Sequence, residues 1–152
     1  MSVYIKDKPE YLALCLQSLL EQSFKADEVV LVEDGPIAPD LKIIIDKYRE
    51  PLNIVSVSLE KNVGLACALN AGLNYCSYDF VARMGADDIY LANRFAAQIS
   101  YLRLNPLVDL VASSAHVINE NNTKIGFKSS NRYVAIKNAR FSSPVIRSSV
   151  SF

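Results

Sequence analysis

The period of the apolar positions changes repeatedly along the chain. Leu12, Cys15, Leu16, Leu19 and Leu20 recur every three or four residues behind Asp7-Lys8-Pro9-Glu10, which predicts an amphipathic helix with Asp7 as its N-cap. EVVLVED, from Glu28 to Asp34, is β-branched and nearly unbroken, the pattern of a parallel strand covered on both faces, and Gly35-Pro36 ends it. Leu41, Ile44, Ile45 and Tyr48 predict a second helix, and Leu52 to Leu59 the next strand. Gly64 opens a third helix whose inward face carries Leu65, Ala68, Leu69, Gly72 and Leu73. A strand from Phe80 to Met84, a helix through Phe95, Ile99 and Leu102 closed by Pro106, and a strand from Asp109 to Asn119 complete the series. Strands alternating with helices predict an α/β fold: an open, mostly parallel sheet with helices on both faces. With no repeat, linker or low-complexity tract, residues 1–152 read as a single domain.

Composition narrows the function classes. Of the 152 residues, 51% are apolar, enough for one substantial core. Sixteen Lys and Arg balance sixteen Asp and Glu, so no net field recruits nucleic acid. The apolar runs fall short of a membrane span, and the start lacks a signal-peptide pattern. Cys15, Cys67 and Cys76 are odd in number and form no CxxC pair, so a reducing cytoplasm is the expected setting.

The chemistry concentrates in FVARMGADDIY, Phe80 to Tyr90, where two aspartates follow the end of an apolar strand. Like charges so close repel, and each would lose hydration if buried, so a positive partner is expected. Ligands of open α/β sheets bind outside the carboxyl ends of the strands, where Asp34 and the Asp87-Asp88 pair both fall. A divalent cation and a hydrogen-bonding ligand would make such a cluster favourable. Asp is also a preferred helix N-cap, and for Asp34 alone the two readings are even; an adjacent pair exceeds what one cap needs.

Five blocks in order, PEYLALCLQSLLEQSF, EVVLVEDGP, EKNVGLACALNAGLNY, FVARMGADDIYLANRFAAQISYL and the VY near the start, resemble glycosyltransferase family two, of the bacterial polysaccharide type. The resemblance runs from about Ser2 to Asn119 and implies the GT-A fold, a Rossmann-like open sheet, and metal-assisted inverting transfer from a nucleotide sugar. By that resemblance Ser2, Val3 and Tyr4 end the first strand, with Ser2 in the nucleotide site and Tyr4 stacking on the base; Asp34 accepts from the base's ring N–H; and Asn62 and Gly64 bring backbone close to the base. Asp87 is implied to contact ribose or sugar, and Asp88 to ligate Mn²⁺ or Mg²⁺ bridging the phosphates. Gly85 stands where relatives often carry a further Asp, Glu33 replaces the first Asp of the turn after the second strand, and Pro36 replaces its Ser.

The implied partners are a nucleotide sugar, UDP-linked by preference, and a glycan or lipid-linked acceptor, with no nucleic acid. Peripheral association with the inner face of the membrane is implied for the full-length protein. Compared with the family, most of strand one and the C-terminal acceptor part are expected to be missing, with the catalytic base beyond Phe152 and the fragment alone inactive. Arg140 to Phe152 resembles the strand that begins the acceptor half. A non-catalytic nucleotide-binding fragment or decayed transferase is the alternative; a sugar nucleotidyltransferase would need a Gly-rich N-terminal loop that is absent. Arg83 is a candidate phosphate neutraliser or a solvated strand cation. His116 and the cysteines are expected to pack, and Asn121-Asn122-Thr123 to form a turn tip.

Overall fold

The computed structural model describes residues 1–119 and 121–129, together with the backbone of 145–147. Its elements in chain order are β1 (Ser2–Val3), α1 (Pro9–Leu20), β2 (Val29–Glu33), α2 (Pro39–Arg49), β3 (Ile54–Ser58), α3 (Leu65–Leu73), β4 (Phe80–Ala82), α4 (Arg94–Leu104), β5 (Leu110–Val111), β6 (Ala115–Ile118), β7 (Lys124–Lys128) and β8 (Val145–Arg147). Two compact units result: Met1–Tyr78 with Met84–Ala97, and Asp79–Arg83 with Gln98–Phe152. Among the described residues no helix is long and apolar enough to cross a membrane.

The first unit is built on a parallel sheet in the order β1-β2-β3. Its register aligns Val3 with Glu33 and Glu33 with Ser58, so the three strands end together. Every residue of β2 is buried, as its unbroken apolar run requires. Val30 and Val32 face α3, where they meet Ala68 and join Val57, and burying each such side chain contributes about 1.5–3 kcal/mol. Leu31 alternates to the opposite face and is also fully buried. Right-handed crossovers put α1 and α2 on one face of such a sheet, where they pack against each other. Gly72 lets α3 lie close: a Cβ there would come within 2.7 Å of Val32 Cγ2.

Four expectations change. Asp7 does not cap α1; the N-cap is Lys8 without a side-chain bond, and Pro9 at the first turn needs no partner for its nitrogen. Leu65 is 53% exposed, because the inward stripe of α3 runs through Ala68 and Gly72. Cys67 is exposed too, whereas Cys76 packs on the core as foreseen. The strand foreseen from Asp109 to Asn119 breaks at the small residues Ala112-Ser113-Ser114 into β5 and β6, which join different sheets.

In the second unit β4 and β5 flank β8, both antiparallel to it, and β6 and β7 form a hairpin. Asn122, at φ 58°, and Asn119, whose Oδ1 accepts from the N–H groups of Asn121 and Thr123, make the expected turn. A fifth expectation changes here: His116, expected to pack, is exposed, its ring 5.3 Å from that of Phe127. Of Arg140 to Phe152, all but the backbone of β8 lies outside the described residues.

Candidate functional site

The shared register of the parallel strands brings the residues that follow them to one edge. Tyr4 follows β1, Asp34 follows β2, and the loop of Asn62 and Gly64 follows β3. Ser2 lies further back, inside β1, paired with Val32.

Asp34 is 4% exposed, and both of its oxygens are engaged: Val63 N–H donates to Oδ1 at 2.7 Å and Gly64 N–H to Oδ2 at 3.1 Å. Asn62 Nδ2 donates to the Asp34 carbonyl at 3.3 Å. The carboxylate thus satisfies orphan donors where α3 begins, one strand away from its own chain position. Neither even-handed reading anticipated this, since Asp34 serves the start of α3 and not that of α2, the next helix in sequence. Gly35, at φ 83°, lets the two loops touch: a Cβ there would lie 2.6 Å from the Asn62 nitrogen. Gly64 has φ 85° with open space before it, so its need for glycine is conformational.

Tyr4 is 39% exposed, leaving ring surface free at the edge. Its backbone is fixed by Asp7, whose Oδ2 accepts from Tyr4 N–H at 2.9 Å while Asp7 N–H donates to the Tyr4 carbonyl at 3.0 Å. Burial raises the Asp7 pKa, the Tyr4 hydrogen bond opposes this, and the field of Asp87 adds to the rise. Asp7 closes the Tyr4 turn, a role invisible in a sequence where it reads as a cap.

Asp87 and Asp88 are both exposed, which corrects the premise that they lose hydration. Their convergence is the informative feature. A Cβ at Gly85 would meet Asp88 Oδ2 at 2.7 Å and Asp87 Oδ1 at 3.2 Å, so both carboxylates turn into the space that this glycine leaves. Carboxylates held this close offer hard oxygen donors, the kind that suit Mg²⁺ or Mn²⁺. Among the described residues no group of three or more His, Cys, Asp and Glu could enclose a metal ion. The set fits a cation that takes its other ligands from phosphate and water, the usual habit of Mg²⁺.

Behind the pair lies a layer that sequence reading missed. Tyr90 is buried; its hydroxyl accepts from Gly85 N–H at 2.7 Å and lies 3.1 Å from the Gly85 carbonyl and 3.3 Å from Asp88 Oδ2. Arg94, 8% exposed, sets its guanidinium 4.7 Å from the Tyr90 ring centroid and donates to Met84 Sδ at 2.7 Å. Burial lowers its pKa, against the fields of Tyr90 and Asp88. A guanidinium nevertheless stays charged in proteins, so a cation lies over the Tyr90 ring behind the acidic loop. Arg83, the cation singled out from sequence, belongs to the other unit.

Helix α1 holds this loop by a polar stripe. Cys15 Sγ donates to the Gly85 carbonyl at 3.2 Å, Ser18 Oγ accepts from Tyr90 N–H at 3.1 Å, and Gln22 donates to the Leu91 carbonyl and accepts from Phe95 N–H. Residues 15 and 18 share one face of α1, and Gln22 follows just past its end, where it reaches the chain further along. Cys15 is not merely a small hydrophobe, and Ser18 and Gln22 were legible only as polar residues interrupting an apolar stripe.

The sequence profile described as Glycosyl transferase family 2 matches residues 1–148. The amylovoran biosynthesis glycosyltransferase AmsE of Erwinia amylovora is 50% identical over 118 residues, which cover 78% of this chain and 44% of that protein. The UDP-Gal:alpha-D-GlcNAc-diphosphoundecaprenol beta-1,3-galactosyltransferase of Escherichia coli is 42% identical over 113 residues, 74% of this chain and 41% of that one. The chain thus spans less than half the length of these relatives. Among solved structures, the Pyrobaculum calidifontis mannosyltransferase in complex with GDP-Man and Mn²⁺ superposes with a TM-score of 0.63 at 22% identity, over 80% of this chain and 35% of that one. S. aureus TarS in complex with UDP gives 0.67 at 20% identity, over 97% and 46%. At such identities these two likenesses speak for the fold alone, the α/β fold of GT-A glycosyltransferases.

Proposed function

The chain belongs to glycosyl transferase family 2, and from that premise we propose that its carboxyl-edge loops bind a nucleotide sugar, UDP-linked by preference, for inverting, metal-assisted transfer to a glycan acceptor in cell-surface polysaccharide synthesis. The observation that carries this reading is the convergence of Asp87 and Asp88 over Gly85. In it, Asp88 holds Mn²⁺ or Mg²⁺, and Asp87 takes the ribose. When bound, the cation offsets the charge of the diphosphate and of the nucleoside diphosphate as it leaves.

The chain's own residues supply binding and orientation. Tyr4, held by Asp7, offers a ring face on which a base can stack without sequence preference. Asp34 keeps a lone pair on each oxygen beyond those taken by Val63 and Gly64, enough to accept from the ring N–H of a uracil. Asn62 and the open space before Gly64 let backbone approach that base. Ser2 contributes by fixing β1 in register beside β2. A lipid-linked glycan is the acceptor class we favour, after the E. coli relative whose name includes diphosphoundecaprenol, with the protein working at the inner face of the membrane.

Calorimetric titration of UDP tests the assignment. Affinity should be higher with Mn²⁺ than with chelator, and Asp88→Asn should remove most of the difference. Equal affinity in the two buffers for the unsubstituted chain would refute it.

A further inference from the structure

We propose that Tyr90 is a positioning residue of the acidic loop: its hydroxyl, bracketed by the backbone of Gly85, orients the Asp88 carboxylate toward the cation. This rests on the reading that Asp88 holds a metal ion, and it concerns how the empty-handed chain keeps that carboxylate ready.

A phenol has one proton to give, and two acceptors stand near it: the Gly85 carbonyl at 3.1 Å and Asp88 Oδ2 at 3.3 Å. The Gly85 carbonyl already has a donor in the Cys15 thiol at 3.2 Å. The carboxylate is charged, and hydrogen bonds to charged acceptors are roughly twice as strong as neutral ones. The phenol proton therefore goes to Asp88, while Gly85 N–H, donating to the phenol oxygen at 2.7 Å, fixes where that phenol oxygen sits. Oδ2 is also the atom that fills the cradle over Gly85, so the phenol and the missing Cβ define its place from two sides. Oδ1 takes no hydrogen bond among the described residues and is left for the cation.

The phenol is itself well anchored. Tyr90 N–H donates to Ser18 Oγ at 3.1 Å, Ser18 Oγ donates to the Cys15 carbonyl at 2.6 Å, and Arg94 covers the ring. A carboxylate that ligates a metal is tuned by the group that hydrogen-bonds its other oxygen, and loss of such a partner typically costs ten- to a hundred-fold in metal affinity.

The test is the same UDP titration in Mn²⁺ and in chelator, with direct Mn²⁺ binding followed by electron paramagnetic resonance, on Tyr90→Phe and Gln22→Leu. Tyr90→Phe keeps the ring, the Arg94 stacking and the Ser18 bond. It should cut the Mn²⁺-dependent gain in UDP affinity by about tenfold and leave the chelator value unchanged. Gln22→Leu loosens the same loop further along without touching the phenol; it should lower the melting temperature and keep the Mn²⁺ gain. An undiminished gain in Tyr90→Phe would overturn the proposal, as would equal losses in the two variants or a Tyr90→Phe chain that no longer melts cooperatively, since each makes Tyr90 a folding residue only. If the unsubstituted chain shows no Mn²⁺ gain, the assignment of Asp88 fails first, so the two failures are told apart.

Discussion

Single residues here serve two purposes at once, and substitution separates them. Asp34 closes the start of α3 through Val63 and Gly64 N–H, and in our reading also meets the base. Asp34→Ala should lower stability by about 1–3 kcal/mol by stranding those donors, and should weaken UDP binding by roughly ten- to a hundred-fold. Affinity for ribose 5-phosphate, which lacks the base, should hardly change; equal weakening of both ligands would leave Asp34 a purely structural residue. Cys15 offers a simpler check. Burial first, then the field of Asp88, pushes its thiol up to about 12, so at pH 7 it is protonated as well as buried. Mass spectrometry after brief iodoacetamide treatment of the folded chain should find Cys67, which is exposed, modified and Cys15 untouched. Labelling of Cys15 at the same rate would mean that the clamp on Gly85 is open.

At the scale of elements, the period of the apolar positions foretold α1 to α4 and β2 to β4, because each is held by one continuous apolar pattern. It failed where small residues let a pattern run across a break, as from Asp109 to Asn119. Asp34, Asp87 and Asp88 were legible as site candidates because carboxylates after strands stand out from their neighbours. Tyr90, Ser18 and Gln22 were not, because they pair across about 70 positions of sequence, and Arg94 was not, because it packs on a turn whose shape no local propensity fixes. The exposure of the acidic pair was misjudged for a related reason: burial depends on how far a loop projects. Arg94, a buried side chain of α4, stacks on Tyr90 behind the pair, so the positive partner that the pair demands is still a bound cation in our reading. The seating of α3 gives this scale its own test. Gly72→Leu places a side chain against Val32, which is 1% exposed and stiff at χ1, so α3 must lift from the sheet. Urea denaturation should show a loss of about 1–3 kcal/mol, the usual range for overpacking; a gain, as helix propensity alone favours, would mean that α3 packs less closely than described.

For the whole molecule, the parallel sheet, the loops at its carboxyl edge and the α1 clamp together make the site that, in our reading, seats a nucleotide sugar. Strands that end in register gather Tyr4, Asp34 and the Asn62 loop, and α1 holds the Gly85-to-Tyr90 loop through Cys15 and Ser18. A family-2 transferase needs these parts fixed before its donor arrives, since alignment lost at binding is lost again in the transfer step. The most direct measurement is the anomalous scattering of Mn²⁺ in crystals of the chain grown with UDP. The account predicts one strong peak within coordination distance of an Asp88 carboxylate oxygen and of both UDP phosphates, with the uracil against Tyr4. A Mn²⁺–UDP complex ordered elsewhere on the chain, with Asp88 making no contact to the metal, would contradict it.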